Sequence, residues 1–198
     1  MRLIGLTGGI ATGKSTVAAM LRDRGAAVVD ADVLAHEVVE TGRPAFAAVV
    51  QRFGDDVVGA DGRLDRERLG RIVFADAAAR RDLERITHGP IGELMQQRIA
   101  EAFARDAPVV VADIPLMFET HRQEMFEGVL LAYVPRDVQL RRLVLRDGSG
   151  EDDAARRIDA QIPIDDKRAL ATWVIDNSGD LAATRRQVDT WWAEEIGL

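Results

Sequence analysis

Cysteine is absent from the 198 residues of this sequence. This absence excludes a thiolate nucleophile, an iron–sulfur cluster held by thiolates and zinc bound through cysteine. Aromatic residues make up only 5% of the chain, so Val, Leu, Ile and Ala must fill the core. The three histidines lie at positions 36, 88 and 121, too far apart in sequence for the closely spaced pair typical of a zinc site.

The sequence also lacks an excess of positive charge and any long hydrophobic run. The formal net charge is −7 at pH 7, which argues against binding to nucleic acid or to an anionic membrane surface. No apolar run approaches the roughly 20 residues that span a bilayer. With 47% hydrophobic and 30% charged residues, the chain can bury a core. We therefore expect a cytoplasmic protein with no nucleic-acid or membrane partner, present as a monomer or a weak homo-oligomer.

Short apolar runs alternate with longer helical patterns along the chain. Unbroken runs of Val, Ile and Leu are typical of strands buried on both faces, and strands separated by helices predict a parallel sheet in an α/β fold. The segment 33–105 has no strand-like run and is predicted to be a helical insertion. The five predicted strands are residues 3–6, 27–29, 109–114, 129–134 and 173–175.

Turn and capping residues predict where several helices begin and end. Gly25 is expected to end the first helix, which starts at Lys14. Asp137, Ser149 and Asp180 are expected to begin later helices as N-caps. The dipeptide at 89–90, Gly-Pro, predicts an interruption of a helix next to His88.

A phosphate-binding motif follows the first predicted strand. Residues 8–15, GGIATGKS, match G-x-x-x-x-G-K-[ST] at every fixed position. Glycine lets backbone amides approach phosphate oxygens, and the helix that follows offers unpaired N–H groups. Lys14 can contact the β- and γ-phosphates, and the Ser15 hydroxyl can bind Mg²⁺. The motif predicts nucleotide binding.

Acidic and amide side chains follow three of the predicted strands. Because parallel strands end at one edge of the sheet, these residues are candidates for chemistry. Asp30 and Asp32 would share one side of an extended segment, where Asp32 could accept a proton from a substrate hydroxyl. Each could instead be a helix N-cap. Asp113 is either an acid near Mg²⁺ or a turn residue. Asp176 and Asn177 follow the last strand.

Arg142 and Arg146 are spaced to share one helix face and precede a glycine-rich turn. One interpretation is a solvated charged face. The other is a hinged flap whose arginines close over a triphosphate.

Several segments, taken in order, resemble the dephospho-CoA kinase family over nearly the whole chain. The Asp-Ala-Asp, Pro-Leu-Met-Phe-Glu and Asp-Asn sequences are more specific than the phosphate loop, which many families share. The segments are 5–16 GLTGGIATGKST, 29–32 VDAD, 83–88 LERITH, 113–119 DIPLMFE, 139–146 QLRRLVLR, 157–161 RIDAQ and 174–177 VIDN.

This resemblance implies a three-layer fold of the P-loop NTPase type, with a five-stranded parallel sheet, a helical substrate-binding insertion and a small helical lid. The core would comprise about residues 1–32, 106–136 and 170–198, the insertion about 33–105 and the lid about 137–165. The implied reaction transfers the γ-phosphoryl group of ATP, with Mg²⁺, to the ribose 3′-hydroxyl of dephospho-CoA. The products would be coenzyme A and ADP, in the last step of coenzyme A biosynthesis.

The motifs and the resemblance together indicate roles for individual residues. Asp32 and Lys14 would be catalytic, and Ser15 would bind Mg²⁺; Asp113, which follows an apolar strand but is not a dependable feature of the family, is a second candidate ligand. Substrate would be bound by Asp32, His88, Pro115 and Leu116. ATP would be bound by Gly8, Gly9, Ala11, Thr12, Gly13, Lys14, Ser15, Thr16, Arg142, Arg146 and Asn177.

Three other functions compete with this interpretation. The nearest is another P-loop small-molecule kinase, such as a nucleoside monophosphate kinase, which periodicity alone does not separate. A GTP-dependent switch would read guanine through Asn-Lys-x-Asp, but the only asparagine, Asn177, precedes Ser-Gly. The acidic charge disfavours a nucleic-acid motor.

Overall fold

The computed structural model describes residues 2–197, and its centre is a five-stranded sheet in the order β2-β3-β1-β4-β5. β1 pairs in parallel with both β3 and β4, and β4 pairs in parallel with β5. The α/β fold and the five-stranded parallel sheet predicted from the sequence are confirmed. The strands are β1 (Arg2–Gly8), β2 (Ala27–Asp30), β3 (Val109–Asp113), β4 (Gly128–Tyr133) and β5 (Trp173–Asp176).

The central strands are apolar because helices cover both of their faces. All residues of β3 and β4 are buried, as are Ile4 and Leu6 of β1. Leu6 lies opposite Asp113, Gly8 opposite Ala132 and Tyr133 opposite Asp176. The ends of β1, β3, β4 and β5 therefore lie along one edge of the sheet, where parallel α/β folds bind ligands.

The chain forms two compact units. The first comprises residues up to 29 and from 101 onward, and the second comprises Asp30–Ala100. The first unit holds most of the sheet and the helices α1 (Lys14–Asp23), α6 (Arg136–Asp147), α7 (Glu151–Asp159), α8 (Ile164–Leu170) and α9 (Leu181–Glu195). The second unit contains α2 (Ala31–Glu37), α3 (Pro44–Phe53), α4 (Arg66–Ala75) and most of α5 (Ala77–Ala104).

Two of the predicted helix ends are confirmed. Gly25 adopts a φ of 96° directly after the first helix, and its amide bonds to the carbonyl of Arg22. Asp180 caps α9 by accepting a 2.7 Å hydrogen bond from the amide of Ala183. Both ends use local chemistry that a sequence displays directly.

Two predicted caps are wrong. α6 begins one residue before Asp137, after Pro135, and the Asp137 carboxylate instead pairs with Arg141 at 2.7 Å. Proline already supplies the fixed φ at that boundary, so no side-chain cap is needed. α7 begins after Gly150 rather than after Ser149.

The predicted interruption beside His88 is also wrong, because α5 continues for 28 residues with Pro90 inside it. Proline removes one backbone donor, here the partner of the Ile86 carbonyl. Leu94 and Met95, one turn further on, are buried and hold the helix in place. No helix within residues 2–197 is long and apolar enough to cross a membrane.

Candidate active site

The phosphate loop joins the end of β1 to the start of α1. Ala11 and Gly13 adopt left-handed φ values of 61° and 79°, which curl the loop around its own amides. The amide of Thr12 donates to the carbonyl of Gly9 at 3.2 Å, closing the turn. Gly13 precedes α1, and within the described residues no side chain caps this helix. The amides of Lys14 and Ser15 at the start of α1 are thus available to an anion.

The loop glycines are required by close packing as well as by backbone conformation. A Cβ on Gly9 would overlap the side-chain nitrogen of Gln139, and one on Gly13 would overlap that of Asn177. A Cβ on Gly8 would lie 2.5 Å from the Thr12 hydroxyl. A side chain at any of these positions would push the loop away from its supports.

Asn177, which follows β5, supports the phosphate loop through a hydrogen bond to the loop backbone. Its side-chain nitrogen donates to the carbonyl of Thr12 at 2.8 Å, and its side-chain oxygen accepts from the hydroxyl of Thr184 at 2.8 Å. Its side chain is buried, and Arg142 donates to its backbone carbonyl at 2.8 Å. Asn177 is predicted to bind ATP. In the structure its side chain contacts the backbone of the phosphate loop.

Two glutamines hold the backbone of Ile10 in the middle of the loop. Gln139 of α6 donates to the Ile10 carbonyl at 2.7 Å, and the Ile10 amide donates to Gln161 at 2.8 Å. The side chains of Ile10 and Ala11 pack against an apolar cluster of α6 and α7 formed by Leu143, Ala154 and Ile158. The pair α6–α7 is therefore fastened to the loop at its base.

Lys14 begins α1 and forms an ion pair with the carboxylate of Asp113 at the end of β3. Asp113 is only 1% exposed, so its charge requires a cation nearby. Ser15, next to Lys14, is exposed, and the amide of Thr16 bonds to the carbonyl of Gly13 at 2.9 Å. The lysine that is predicted to contact the phosphates thus has a protein partner in this structure.

Ser15 and Asp113 supply the oxygen donors that a magnesium ion accompanying a nucleotide prefers. Mg²⁺ commonly takes one or two protein oxygens and completes its shell with phosphates and water. In keeping with this, no group of three or more His, Asp or Glu side chains suited to a metal occurs among residues 2–197. The donor set fits a metal that arrives with its nucleotide.

Asp30 caps α2, and Asp32 lies in the first turn of that helix. The Asp30 carboxylate accepts from the amides of Asp32 at 2.9 Å and Val33 at 3.4 Å. The expected extended arrangement of the two acids is wrong, because helix α2 already begins at Ala31. Asp32 is exposed, and its carboxylate has no hydrogen-bond or ion-pair partner among the described residues of its own unit.

The two predicted arginines have different surroundings. Arg142 is half-buried beside the loop through its bond to Asn177. Arg146 is exposed and pairs with Asp147 at 2.7 Å, and Arg157 pairs with the same carboxylate at 2.6 Å. Hydrogen bonds from Arg146 and then from Arg157 lower the pKa of Asp147 to about 2, and the same pairing raises the pKa of Arg146 above its ordinary value.

The three predicted substrate contacts outside Asp32 lie in two places, one on α5 and two in the segment after β3. His88 is exposed on α5 in the helical unit. Pro115 and Leu116 follow β3, where the Pro115 carbonyl accepts from the buried hydroxyl of Thr7 at 3.2 Å and Leu116 is 44% exposed.

Sequence reasoning assigned no role to the glutamines at 139 and 161, or to the buried pair of Glu119 and Lys167. Both glutamines and Glu119 lie within the segments that resemble the family, which was the only available signal for them. Lys167 is fully buried, with its ammonium 2.6 Å from Glu119. A lysine in a charged helical segment gives no sign of such burial.

A phosphate loop after the central strand of this parallel sheet, with a lysine at the helix start, defines a P-loop nucleotide-binding protein. The dephospho-CoA kinase family model matches residues 2–183. The dephospho-CoA kinase of Anaeromyxobacter dehalogenans is 47% identical over 197 residues, which cover 100% of this chain and 93% of that protein. The dephospho-CoA kinase of Geobacter metallireducens is 47% identical over 196 residues, 99% of this chain and 98% of that protein.

A solved structure agrees with these relatives. The dephospho-CoA kinase from Campylobacter jejuni has a TM-score of 0.76 and 27% identity, with 98% of this chain and 97% of that chain covered. The chain belongs to the dephospho-CoA kinase family.

Proposed function

We propose that this protein transfers the γ-phosphoryl group of Mg²⁺-bound ATP to the ribose 3′-hydroxyl of dephospho-CoA. The products are coenzyme A and ADP, and the step is the last of coenzyme A biosynthesis. The observation that carries the proposal is the family match over residues 2–183, in a chain whose phosphate loop is complete. A nucleoside monophosphate kinase is not favoured, because the relatives that match the whole chain are dephospho-CoA kinases.

The phosphate loop and the cationic side chains around it bind ATP. The amides of the loop and of the first turn of α1 donate to phosphate oxygens, with Gly8, Gly9 and Gly13 keeping the approach open. Lys14 exchanges its partner Asp113 for the β- and γ-phosphates. Arg142, held beside the loop by Asn177, and Arg146, at the end of α6, neutralise charge that develops in the transition state.

Mg²⁺, when bound with ATP, neutralises phosphate charge and orients the transferred group. We infer that Ser15 is its protein ligand and that Asp113 lies close enough to contribute. Both residues are at the carboxyl edge of the sheet, where β1 and β3 end.

Asp32 acts as the base in the proposed reaction. It orients the ribose hydroxyl and accepts its proton as the oxygen attacks the γ-phosphorus and the bond to ADP breaks. The cap made by Asp30 leaves the Asp32 carboxylate unused by the backbone. His88, Pro115 and Leu116 are assigned to the acceptor, and the helical unit Asp30–Ala100 is assigned to acceptor binding. We place the reaction in the cytoplasm and expect a monomer or a weak homo-oligomer, which sedimentation can test.

The test is an acceptor panel with γ-labelled ATP. Dephospho-CoA, AMP and a sugar acid are compared as acceptors, and mass spectrometry locates the new phosphate. We expect preferred phosphorylation of dephospho-CoA at its 3′-hydroxyl. Faster turnover of any other acceptor would contradict the proposal.

Variants separate the base from the rest of the site. Asp32→Asn should bind ATP with unchanged affinity but lose at least about 100-fold in kcat, the usual contribution of a general base. Glu67→Gln, which neutralises an acid in the same unit with 84% side-chain exposure, is the matched control and should keep full activity. Wild-type turnover by Asp32→Asn would remove Asp32 from this role.

A further inference from the structure

A buried ion pair lies behind the phosphate loop and is not used in the proposed reaction. Lys167 of α8 has a side chain with 0% exposure, and its ammonium lies 2.6 Å from a carboxylate oxygen of Glu119. Burying an ammonium and a carboxylate costs several kcal/mol for each ion, and their attraction often does no more than offset this cost. An apolar pair of similar volume would fill the space at least as stably, so stability alone does not explain these charges.

The ion pair connects to the loop through a short series of hydrogen bonds. The Glu119 oxygen that forms the ion pair with Lys167 accepts a hydrogen bond from the amide of Ile162 at 3.2 Å. Gln161, the preceding residue, accepts from the amide of Ile10 at 2.8 Å. Holding the Ile162 backbone in place therefore also fixes the backbone position of Gln161. The Gln161 side chain, attached at that position, in turn sets the direction of the Ile10 amide.

The base of α8 is held in place from a second side. Asp165, in its first turn, accepts a 2.8 Å hydrogen bond from the phenol of Tyr133 at the end of β4. Lys167 thus lies on a helix anchored to the sheet, and Glu119 lies on the segment that follows β3. The pair ties two elements of the sheet edge to the turn at residues 161–163.

We propose that the Lys167–Glu119 ion pair positions the phosphate loop for ATP by holding the Ile162 amide, so that Gln161 orients Ile10. The ammonium keeps the shared carboxylate oxygen directed at that amide. Lys167 is fully buried and the Glu119 side chain is only 17% exposed, so we assign both as positioning residues rather than catalytic ones. The inference rests on the proposed function only in requiring ATP to bind this loop.

The proposal requires a hydrogen-bond acceptor for the Ile162 amide. Two double variants distinguish the loss of this acceptor from the loss of the buried charges. Lys167→Met with Glu119→Leu leaves no unpaired ion and no acceptor for Ile162. Lys167→Met with Glu119→Gln also leaves no unpaired ion but retains an oxygen that can accept from Ile162. ATP affinity is measured by calorimetry without an acceptor, so the result does not depend on which alcohol is phosphorylated.

We expect Lys167→Met and the Met/Leu double variant to raise the Kd for ATP about tenfold, and the Met/Gln double variant to recover most of that loss. The KM for dephospho-CoA should stay within about twofold in all of them. Val188→Ala, which opens the core at a fully buried position of α9, is the control for general destabilisation. It should lower Tm without changing the Kd for ATP.

Two results would overturn the proposal. One is an unchanged Kd for ATP in the Met/Leu double variant, and the other is equal Kd values for the Met/Leu and Met/Gln double variants. If the Lys167 variants do not fold, Gln161→Ala tests the same connection and should raise the Kd for ATP by a similar factor. Unchanged affinity in Gln161→Ala would equally contradict the proposal. Where both fold, combining Gln161→Ala with Lys167→Met should add little to either change alone.

Discussion

The side-chain nitrogen of Asn177 donates a 2.8 Å hydrogen bond to the carbonyl oxygen of Thr12. The bond joins the end of β5 to the phosphate loop across 165 positions of sequence. Because Thr184 satisfies the other side of the same amide, the orientation of the Asn177 side chain is fixed. The far edge strand of the sheet thus determines the direction of one loop carbonyl, and with it the adjoining amide of Gly13.

Asn177→Asp should weaken ATP binding although it preserves size. A carboxylate in place of the amide nitrogen turns a donor into an acceptor that faces the Thr12 carbonyl, and a buried polar atom left without a partner costs about 1–3 kcal/mol. We expect the Kd for ATP to rise about tenfold and Tm to fall. Ser178→Ala, at the exposed neighbouring position, is the control and should bind ATP normally. Unchanged ATP affinity in Asn177→Asp would mean that the loop does not need this bond.

Gly13→Ala should abolish tight ATP binding because two independent effects oppose an added methyl group. The φ of 79° disfavours any L side chain by about 1–2 kcal/mol, and the new Cβ would overlap the Asn177 side chain. Gly148→Ala is a matched control, because Gly148 also has a positive φ, of 63°, but its Cβ would meet nothing within 4 Å.

The two glycine variants can be compared by calorimetry and thermal melting. Gly148→Ala should lose some stability through backbone strain and keep its ATP affinity. Gly13→Ala should lose affinity by far more than the strain at Gly148 can account for. Equal ATP affinities in the two variants would show that packing against Asn177 has no part in shaping the loop.

Much of this architecture can be predicted from local sequence patterns. The apolar runs located all five strands, because strands buried on both faces admit few polar residues. Gly25 and Asp180 marked helix boundaries, because their effect needs only the neighbouring backbone. The predicted strand ends also placed Asp113 at the end of β3 and Asn177 directly after β5.

Other features depend on packing between distant segments, and the local pattern misses them. Pro90 suggests a break, yet α5 continues because Leu94 and Met95 are buried beyond it. The sequence pattern allows either Asp30 or Asp32 to be the N-cap of α2. Only the observed start of α2 at Ala31 shows that Asp30 is the cap. The local sequence predicts that Lys167 is an exposed charge, but the fold buries it against Glu119.

Asp147 should titrate well below the ordinary aspartate pKa of 3.8. Hydrogen bonds from Arg146 and Arg157 stabilise its charged form and lower its pKa from 3.8 to about 2. A lowered folded-state pKa contributes stability that is fully present above the ordinary value of 3.8 and is lost as the pH falls through about 2. Carboxyl chemical shifts followed by NMR should give this midpoint directly.

Substitutions of the neighbouring arginines test the cause of that shift. Arg146→Gln should move the Asp147 midpoint back toward 3.8, and Arg157→Gln should do so to a smaller extent. Arg156→Gln is the control, because Arg156 pairs with Asp153 instead. An Asp147 midpoint left unchanged by Arg146→Gln would show that the Arg146 hydrogen bond is not the cause of the lowered pKa.

Asp113→Asn should change the magnesium requirement of the reaction. In this structure the Asp113 carboxylate pairs with Lys14, the lysine assigned to the phosphates, so removing its charge affects both the lysine and any metal nearby. An amide is a weaker ligand for a hard divalent ion than a carboxylate. We expect the Mg²⁺ concentration for half-maximal rate to rise about tenfold, a loss of about 1.4 kcal/mol in metal affinity.

A magnesium titration at saturating ATP and acceptor measures this effect, and Asp176→Asn supplies its control. Asp176 also ends a strand at the same edge of the sheet, but it is exposed and its carboxylate accepts from the amide of Ser178 at 2.8 Å. Its variant should keep the wild-type magnesium requirement. If Asp113→Asn also kept that requirement while its Kd for ATP changed, Asp113 would act only as the partner of Lys14, and Ser15 would be left as the single protein ligand.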